Sequence, residues 1–166
     1  MQITRASDYA VRVMIYLATL PEATRVSAQS VARGIQAPVS FVSKVLQMLV
    51  QRGFVTSHRG VAGGFELAVS PEAVCLLDVI EMVDGPLQIN VCLPGEGGGC
   101  ERKSWCGAHT VWAEAQEAMK KVLASASIAR LARESVEKFA QLAAGEPETE
   151  VRIEPAPTVR QKRRTG

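Results

Sequence analysis

The sequence predicts a mostly α fold with a small β-hairpin, and three observations carry that prediction. Apolar residues recur three and four apart through most of the first 145 positions, the spacing of one helix face. One stretch, GFVTSHRGVAGGFELAV at residues 53–69, switches instead to alternating apolar and polar residues on both sides of a glycine-rich tip. A length of 166 residues with 47% hydrophobic content sets one domain, or one domain with an appendage, around a modest core.

The first helix is read over ITRASDYAVRVMIYLATLPEA. Tyr9, Val13, Met14, Tyr16, Leu17 and Leu20 share a face, Ser7 or Asp8 is the expected N-cap, and Pro21 stops the helix. In RVSAQSVARGIQAPVSFVSKVLQMLVQRGFV, Ser27 caps a short helix ending at Gly34, and a turn follows through Ile35–Ala37. Pro38 and Val39 then open a second helix that runs through Phe41, Val45, Leu46, Leu49 and Val50 to Gly53 at its end. Two helices joined by a short turn form a helix-turn-helix, although an ordinary helical hairpin accounts for the same stretch. The β-hairpin that follows decides between them, because helix-turn-helix followed by a small hairpin is the winged-helix order. Its tip, Arg59 to Gly64, needs glycine to reach positive φ and lie close to a partner surface. Arg59 stands where it could enter a minor groove, in which narrow A·T tracts concentrate negative potential.

After the hairpin, Pro71–Asp84 reads as a helix with Leu76, Leu77, Val79, Ile80 and Val83 inward, ended by Asp84-Gly85-Pro86; Cys75 on its edge reads as a small buried hydrophobe. A long helix is expected from Ala108 to about Leu123, and another over SIARLARESVEKFAQLAAG capped by Ser127. The long helix has more apolar surface than a chain of this size covers, which points to a partner helix from a second copy and makes it a dimerisation helix. From Gly145 the periodicity stops, and a proline-rich, charged stretch ending in VRQKRR reads as a disordered tail. The expected division is residues 1–70 as a winged helix-turn-helix, 71–145 as a ligand-bearing loop with dimerisation helices, and 146–166 as tail.

The net charge of +2 hides an asymmetry: seven Lys and Arg face three Asp and Glu over residues 1–70, while residues 71–100 hold five acidic residues and no basic ones. A basic amino-terminal region points weakly to nucleic acid. No stretch approaches a membrane span and no secretory signal is visible, so a cytoplasmic protein with reduced thiols is expected.

The chemistry concentrates in VCLPGEGGGCERKSWCGAHT, residues 91–110. Cys92, Cys100, Cys106 and His109 follow one another with seven, five and two residues between. Disulfide formation would leave an odd thiol and needs an oxidising compartment. Zinc accepts three cysteines and a histidine, yet its structural sites bring ligands in tight pairs, and only Cys106 and His109 fit. An iron–sulfur cluster tolerates wider spacing and one imidazole, and Gly95, Gly97, Gly98 and Gly99 would let the loop fold over it. A Cys106–His109 catalytic dyad at a helix start is a further reading, but no oxyanion site accompanies it.

DYAVRVMIYLA, SFVSKVLQMLVQRGFV, the HRGVAGGFELA wing, the three-cysteine loop and the long helix together resemble the iron–sulfur cluster regulator (IscR-type) family of bacterial winged-helix repressors, which also contains NsrR and RirA. The resemblance covers roughly residues 1–140. It implies Cys92, Cys100 and Cys106 as thiolate ligands, with His109 matching the histidine of a [2Fe-2S] site. Asp8 matches a carboxylate supplied across the dimer to a [4Fe-4S] cluster, the alternative fourth ligand. For DNA it implies Ser40, Phe41, Ser43 and Lys44 on the recognition helix, with Arg59 and Gly60 on the wing. Ser43 stands where the IscR branch has a glutamate that discriminates sites by cluster state, which leaves that switching in doubt here. The expectation is a homodimeric DNA-binding transcriptional regulator, not an enzyme, that represses at a palindromic operator and senses iron, redox state or nitric oxide through its cluster. The alternative is a cluster-free regulator of the same fold controlled by thiol oxidation or a protein partner.

Overall fold

Thr4 opens the fold. Its hydroxyl accepts the Ser7 amide hydrogen at 3.2 Å and starts α1, Arg5–Ala18. Ser7 and Asp8, the expected caps, lie inside the helix: Ser7 is buried, and Asp8 in the first turn pairs with Arg12 at 3.0 Å. The cap sits upstream because Thr4 has a second anchor, the Asp84 carboxylate, which accepts from its hydroxyl at 2.6 Å and its amide at 3.1 Å. The computed structural model describes residues 3–60, 63–93 and 100–145. The expected disordered tail, the loop glycines Gly95 and Gly97–Gly99, and the wing-tip residues Val61 and Ala62 lie outside them.

Ser27 caps α2, Ala28–Gly34, as its spacing predicts, accepting from the Ser30 amide at 3.1 Å. The helix closes through Gln36 in the left-handed region (φ 53°), with Ala37 N–H donating to Ala32 O at 2.9 Å. After Pro38, α3 runs Val39–Gln51 and closes the same way, with Gly53 at φ 77° and Phe54 N–H on Leu49 O at 3.0 Å. Val42, Val45, Leu46 and Leu49 form its buried stripe at positions i, i+3, i+4 and i+7. Phe41 falls one position off that stripe. It lies 37% exposed with its ring tilted on Tyr9 at 5.0 Å between centroids. The core joins α3 to Ala10, Val13, Met14 and Leu17 of α1, to Val31, and to Val55, Val74, Val79 and Ile128 from later elements. Each fully buried leucine contributes on the order of 2 kcal/mol.

The hairpin pairs β1, Val55–His58, antiparallel with β2, Gly64–Leu67, in the register Val55 opposite Leu67 and His58 opposite Gly64. Val26 adds a third, single-residue strand: it exchanges both backbone hydrogen bonds with Phe65, at 3.0 and 2.8 Å. This contact is why residue 64 is glycine, since a β-carbon there would stand 2.8 Å from Val26 O.

The next helix, α4, covers Leu76–Asp84, five residues shorter than the Pro71–Asp84 expected. Residues 71–76 lie instead against the start of the last helix, where Ala129 N–H donates to Pro71 O, Ile128 N–H to Val74 O, and Leu76 N–H to Ala126 O, each at 2.9 Å. Cys75 is correspondingly not a buried hydrophobe but the N-cap of α4, its amide donating to Asp78 at 2.8 Å. α5 spans Gly107–Ala124 and α6, capped by Ser127, spans Ile128–Ala143, close to expectation. α6 folds back onto α1, whereas the main neighbour of α5 is α4. Among the described residues no helix is long and apolar enough to cross a membrane.

Candidate functional site

Two regions hold the residues singled out from the sequence. On the first, α3 presents Ser40, Phe41 and Lys44 exposed at its amino-terminal half, with Ser43 half-buried beside them. Pro38 has no side-chain hydrogen bond to give, so the Val39 and Ser40 amides at the head of α3 receive no side-chain cap from it. Arg59 and Gly60 follow β1 directly and are exposed, with Gly60 at φ 100°, a conformation that suits glycine. Helix and wing are thus solvent-facing, and the Val26–Phe65 bridge ties the wing to the segment that leads into α2.

Behind the wing lies a charge network that sequence reading missed. The Glu66 carboxylate accepts from His58 Nε2 at 2.7 Å and from Arg25 Nε at 3.3 Å. The His58 hydrogen bond, helped by Arg25 and opposed by burial, holds the Glu66 carboxyl below its ordinary range. Alternation along β2 places Glu66 and Gly64 on one side of the strand, yet nothing local signals Arg25 as a partner.

The second region is the head of α5. Cys106 is its N-cap, and His109 lies in the first turn, its amide donating to Cys106 O at 3.0 Å. The segment leading to Cys92 is pinned to α4 and α5: Glu81 accepts from Leu87 N–H at 2.9 Å, and the buried Gln116 accepts from Ile89 N–H at 3.2 Å. Gln88 donates to Leu93 O at 2.7 Å, and Leu93, next to Cys92, is buried. Gln116 was legible only as a polar residue two turns below His109 on the same face. All four cysteines are free thiols, and Cys92, Cys100 and Cys106 are half-buried. Among the described residues, no three His, Cys, Asp or Glu side chains converge as a metal-holding group. Cys92, Cys100, Cys106 and His109 thus follow one another along the chain without closing on a common point, and Asp8 is paired with Arg12.

One atom stands out there. Among the described residues His109 Nε2 is buried with no hydrogen-bond partner, a situation that costs about 1–3 kcal/mol unless a ligand satisfies it. Three free thiols and one unpartnered imidazole nitrogen are a soft donor set that fits iron. Cys75 is different: burial, then its contact with Asp78, push its thiol up, which suits a cap and not a thiolate ligand.

A helix-turn-helix whose second helix is solvent-facing, braced by a two-stranded wing, defines a winged-helix transcription regulator. The chain belongs to the Rrf2 family, described as iron-dependent transcriptional regulators, which matches residues 3–134. It is 28% identical over 131 residues to the HTH-type transcriptional regulator NsrR of Geobacillus kaustophilus, covering 79% of this chain and 89% of that one. CymR, the global cysteine regulator of B. subtilis, aligns with a TM-score of 0.67 at 26% identity, over 81% of this chain and 98% of that one. T. potens IscR aligns at 0.66 and 22% identity, over 83% and 90%, a likeness of fold. The family is one of regulators and not of enzymes, so the catalytic-dyad reading of Cys106 and His109 falls away.

Proposed function

We propose that this chain is a cytoplasmic homodimeric repressor that binds a palindromic operator in double-stranded DNA and carries an iron–sulfur cluster, [2Fe-2S], on Cys92, Cys100, Cys106 and His109. The observation that carries the reading is the buried His109 Nε2, without a partner among the described residues, in the first turn of the helix capped by Cys106, just after the segment that bears Cys92 and Cys100. Residues 1–70 form the DNA-binding region, and 71–145 the ligand loop and dimerisation helices. On DNA, Ser40, Phe41, Ser43 and Lys44 take the major groove, and Arg59 with Gly60 the adjacent minor groove.

When bound, the cluster supplies iron–thiolate bonds that iron shortage, oxidation or nitric oxide can break. The chain's own part is mechanical. Cys106 heads α5, so closing or freeing the loop moves one end of the helix whose flank meets the second copy. Half-sites one helical turn apart are read only at the right separation of recognition helices, and a shift of α5 alters that separation. A [4Fe-4S] cluster completed by the partner subunit's Asp8 is the alternative; it requires Asp8 to leave Arg12.

A second reading is favoured by the open arrangement of the thiols and by the likeness to a cysteine regulator: the same fold, without a cluster, controlled by thiol oxidation or a protein partner. Native mass spectrometry of anaerobically purified dimer separates the two. Iron and sulfide in stoichiometric amounts, lost in Cys100→Ala and altered in His109→Ala, support the cluster. Wild-type protein free of iron and sulfide, or visible charge-transfer absorption that survives Cys100→Ala, overturns it.

A further inference from the structure

We infer that Glu66 is a positioning residue for DNA reading: its carboxylate, gripped by Arg25 on one side and His58 on the other, sets the angle at which the wing presents Arg59 beside the recognition helix. This rests on the reading of Arg59 as a minor-groove contact. Glu66 lies near the middle of β2, and each of its oxygens has one cationic or hydrogen-bonding partner, at 2.7 and 3.3 Å. One partner, His58, immediately precedes Arg59. The other, Arg25, immediately precedes Val26, the residue that locks to Phe65 and leads through Ser27 into α2. The side-chain bridge therefore runs alongside the backbone bridge, one residue to its side, and joins helix-turn-helix to wing by a second strut. Two struts resist rotation about an axis that one alone leaves free.

The charge makes the placement informative. Residues 1–70 contain only three acidic side chains against seven basic ones, and a carboxylate in a phosphate-binding region repels its ligand. Glu66 is retained there with its side chain only 18% exposed and its charge offset by Arg25. The Glu66 side chain meets His58 from β1 and Arg25 from the segment before α2. An electrostatic role alone and a positioning role thus predict opposite signs for its removal.

The test uses fluorescence anisotropy on two probes: a 30-base-pair duplex enriched by the wild-type protein from a randomised pool, and an unrelated mixed-sequence duplex. Glu66→Gln keeps the shape and loses the charge. It is expected to weaken binding to the enriched duplex by about tenfold while leaving the mixed-sequence duplex unchanged or slightly tighter. The loss is expected to disappear when Arg59→Ala is already present, because the residue acts through Arg59. Tighter binding of Glu66→Gln to both duplexes, or the same loss in the Arg59→Ala background, overturns the inference. Arg59→Ala binding the enriched duplex like wild type removes the parent reading; a large loss for Arg59→Ala with none for Glu66→Gln leaves Arg59 standing and overturns Glu66 alone. Glu66→Ala with a matched melting curve repeats the measurement, so that a folding defect in either variant is seen.

Discussion

Asp84 ends α4, yet its carboxylate holds the cap of α1 eighty positions earlier, accepting from both the hydroxyl and the amide of Thr4. Partial burial works against its charge, but the hydroxyl and amide of Thr4, together with the nearby Ser7 hydroxyl, outweigh it and keep the carboxyl below its ordinary 3.8. A lowered carboxyl stabilises the fold while ionised. Its contribution is full above the unfolded value and is lost as pH falls through the folded one, below 3.8. Asp84 is solvent-accessible, so the effect is small: Asp84→Asn is expected to lower stability by about 0.5–1 kcal/mol at neutral pH. Urea denaturation checks this; the difference from wild type should shrink as pH falls below 3.8 and the folded-state carboxylate is protonated. A difference that ignores pH would leave the carboxylate out of the clamp. The expected caps Ser7 and Asp8 and the observed Thr4 differ for this reason. The sequence contains every candidate, but the partner that selects Thr4 is far along the chain. The same holds at the wing, where the exposed Arg59 follows from the hairpin motif and the Arg25–Glu66–His58 network does not.

At the scale of elements, α2 and α3 were legible because their start and stop signals are local: Ser27, Pro38 and Gly53 each do what their chemistry predicts. The start of α4 was not, because Pro71 and Val74 spend their carbonyls on the first amides of α6, a partner more than fifty residues away. The end of α2 at Gly34 was legible, but what requires glycine there was not. The left-handed position belongs to Gln36, and Gly34 is needed because a β-carbon there would run into the Tyr16 ring. The two residues therefore give opposite predictions. Gln36→Gly relieves a left-handed non-glycine and is expected to raise stability by about 0.5–1 kcal/mol. Gly34→Ala forces Tyr16 aside and is expected to cost about 1–3 kcal/mol. Thermal unfolding of both variants checks the pair, and a stabilising Gly34→Ala would show that the ring moves freely.

The whole molecule is left with an unfinished surface. α5 has only Gln116 buried, while Val111 is 62% and Val122 68% exposed. With Ala115 and Met119 they form a stripe three and four residues apart, along the side of the helix that its contact with α4 leaves open. The excess of apolar surface was legible in the sequence, since it depends only on periodicity; which elements leave it uncovered required the fold. A contiguous apolar stripe costs solubility unless it is covered, and in the proposed homodimer a second copy of the same helix would cover it with matching chemistry. Val122 can be changed without touching the core. A glutamate there would bury an unpaired charge in the seam of each copy, at a cost of several kcal/mol to association and little to the monomer. Val122→Glu is therefore expected to sediment as a monomer with an unchanged helical circular dichroism spectrum. It should bind a palindromic duplex at least a hundredfold more weakly, because two linked half-sites are reduced to one, while its affinity for an isolated half-site stays that of wild type. A Val122→Glu protein that remains dimeric by sedimentation would place the seam elsewhere. It would also remove α5 as the link between the Cys106–His109 turn and the spacing of the recognition helices.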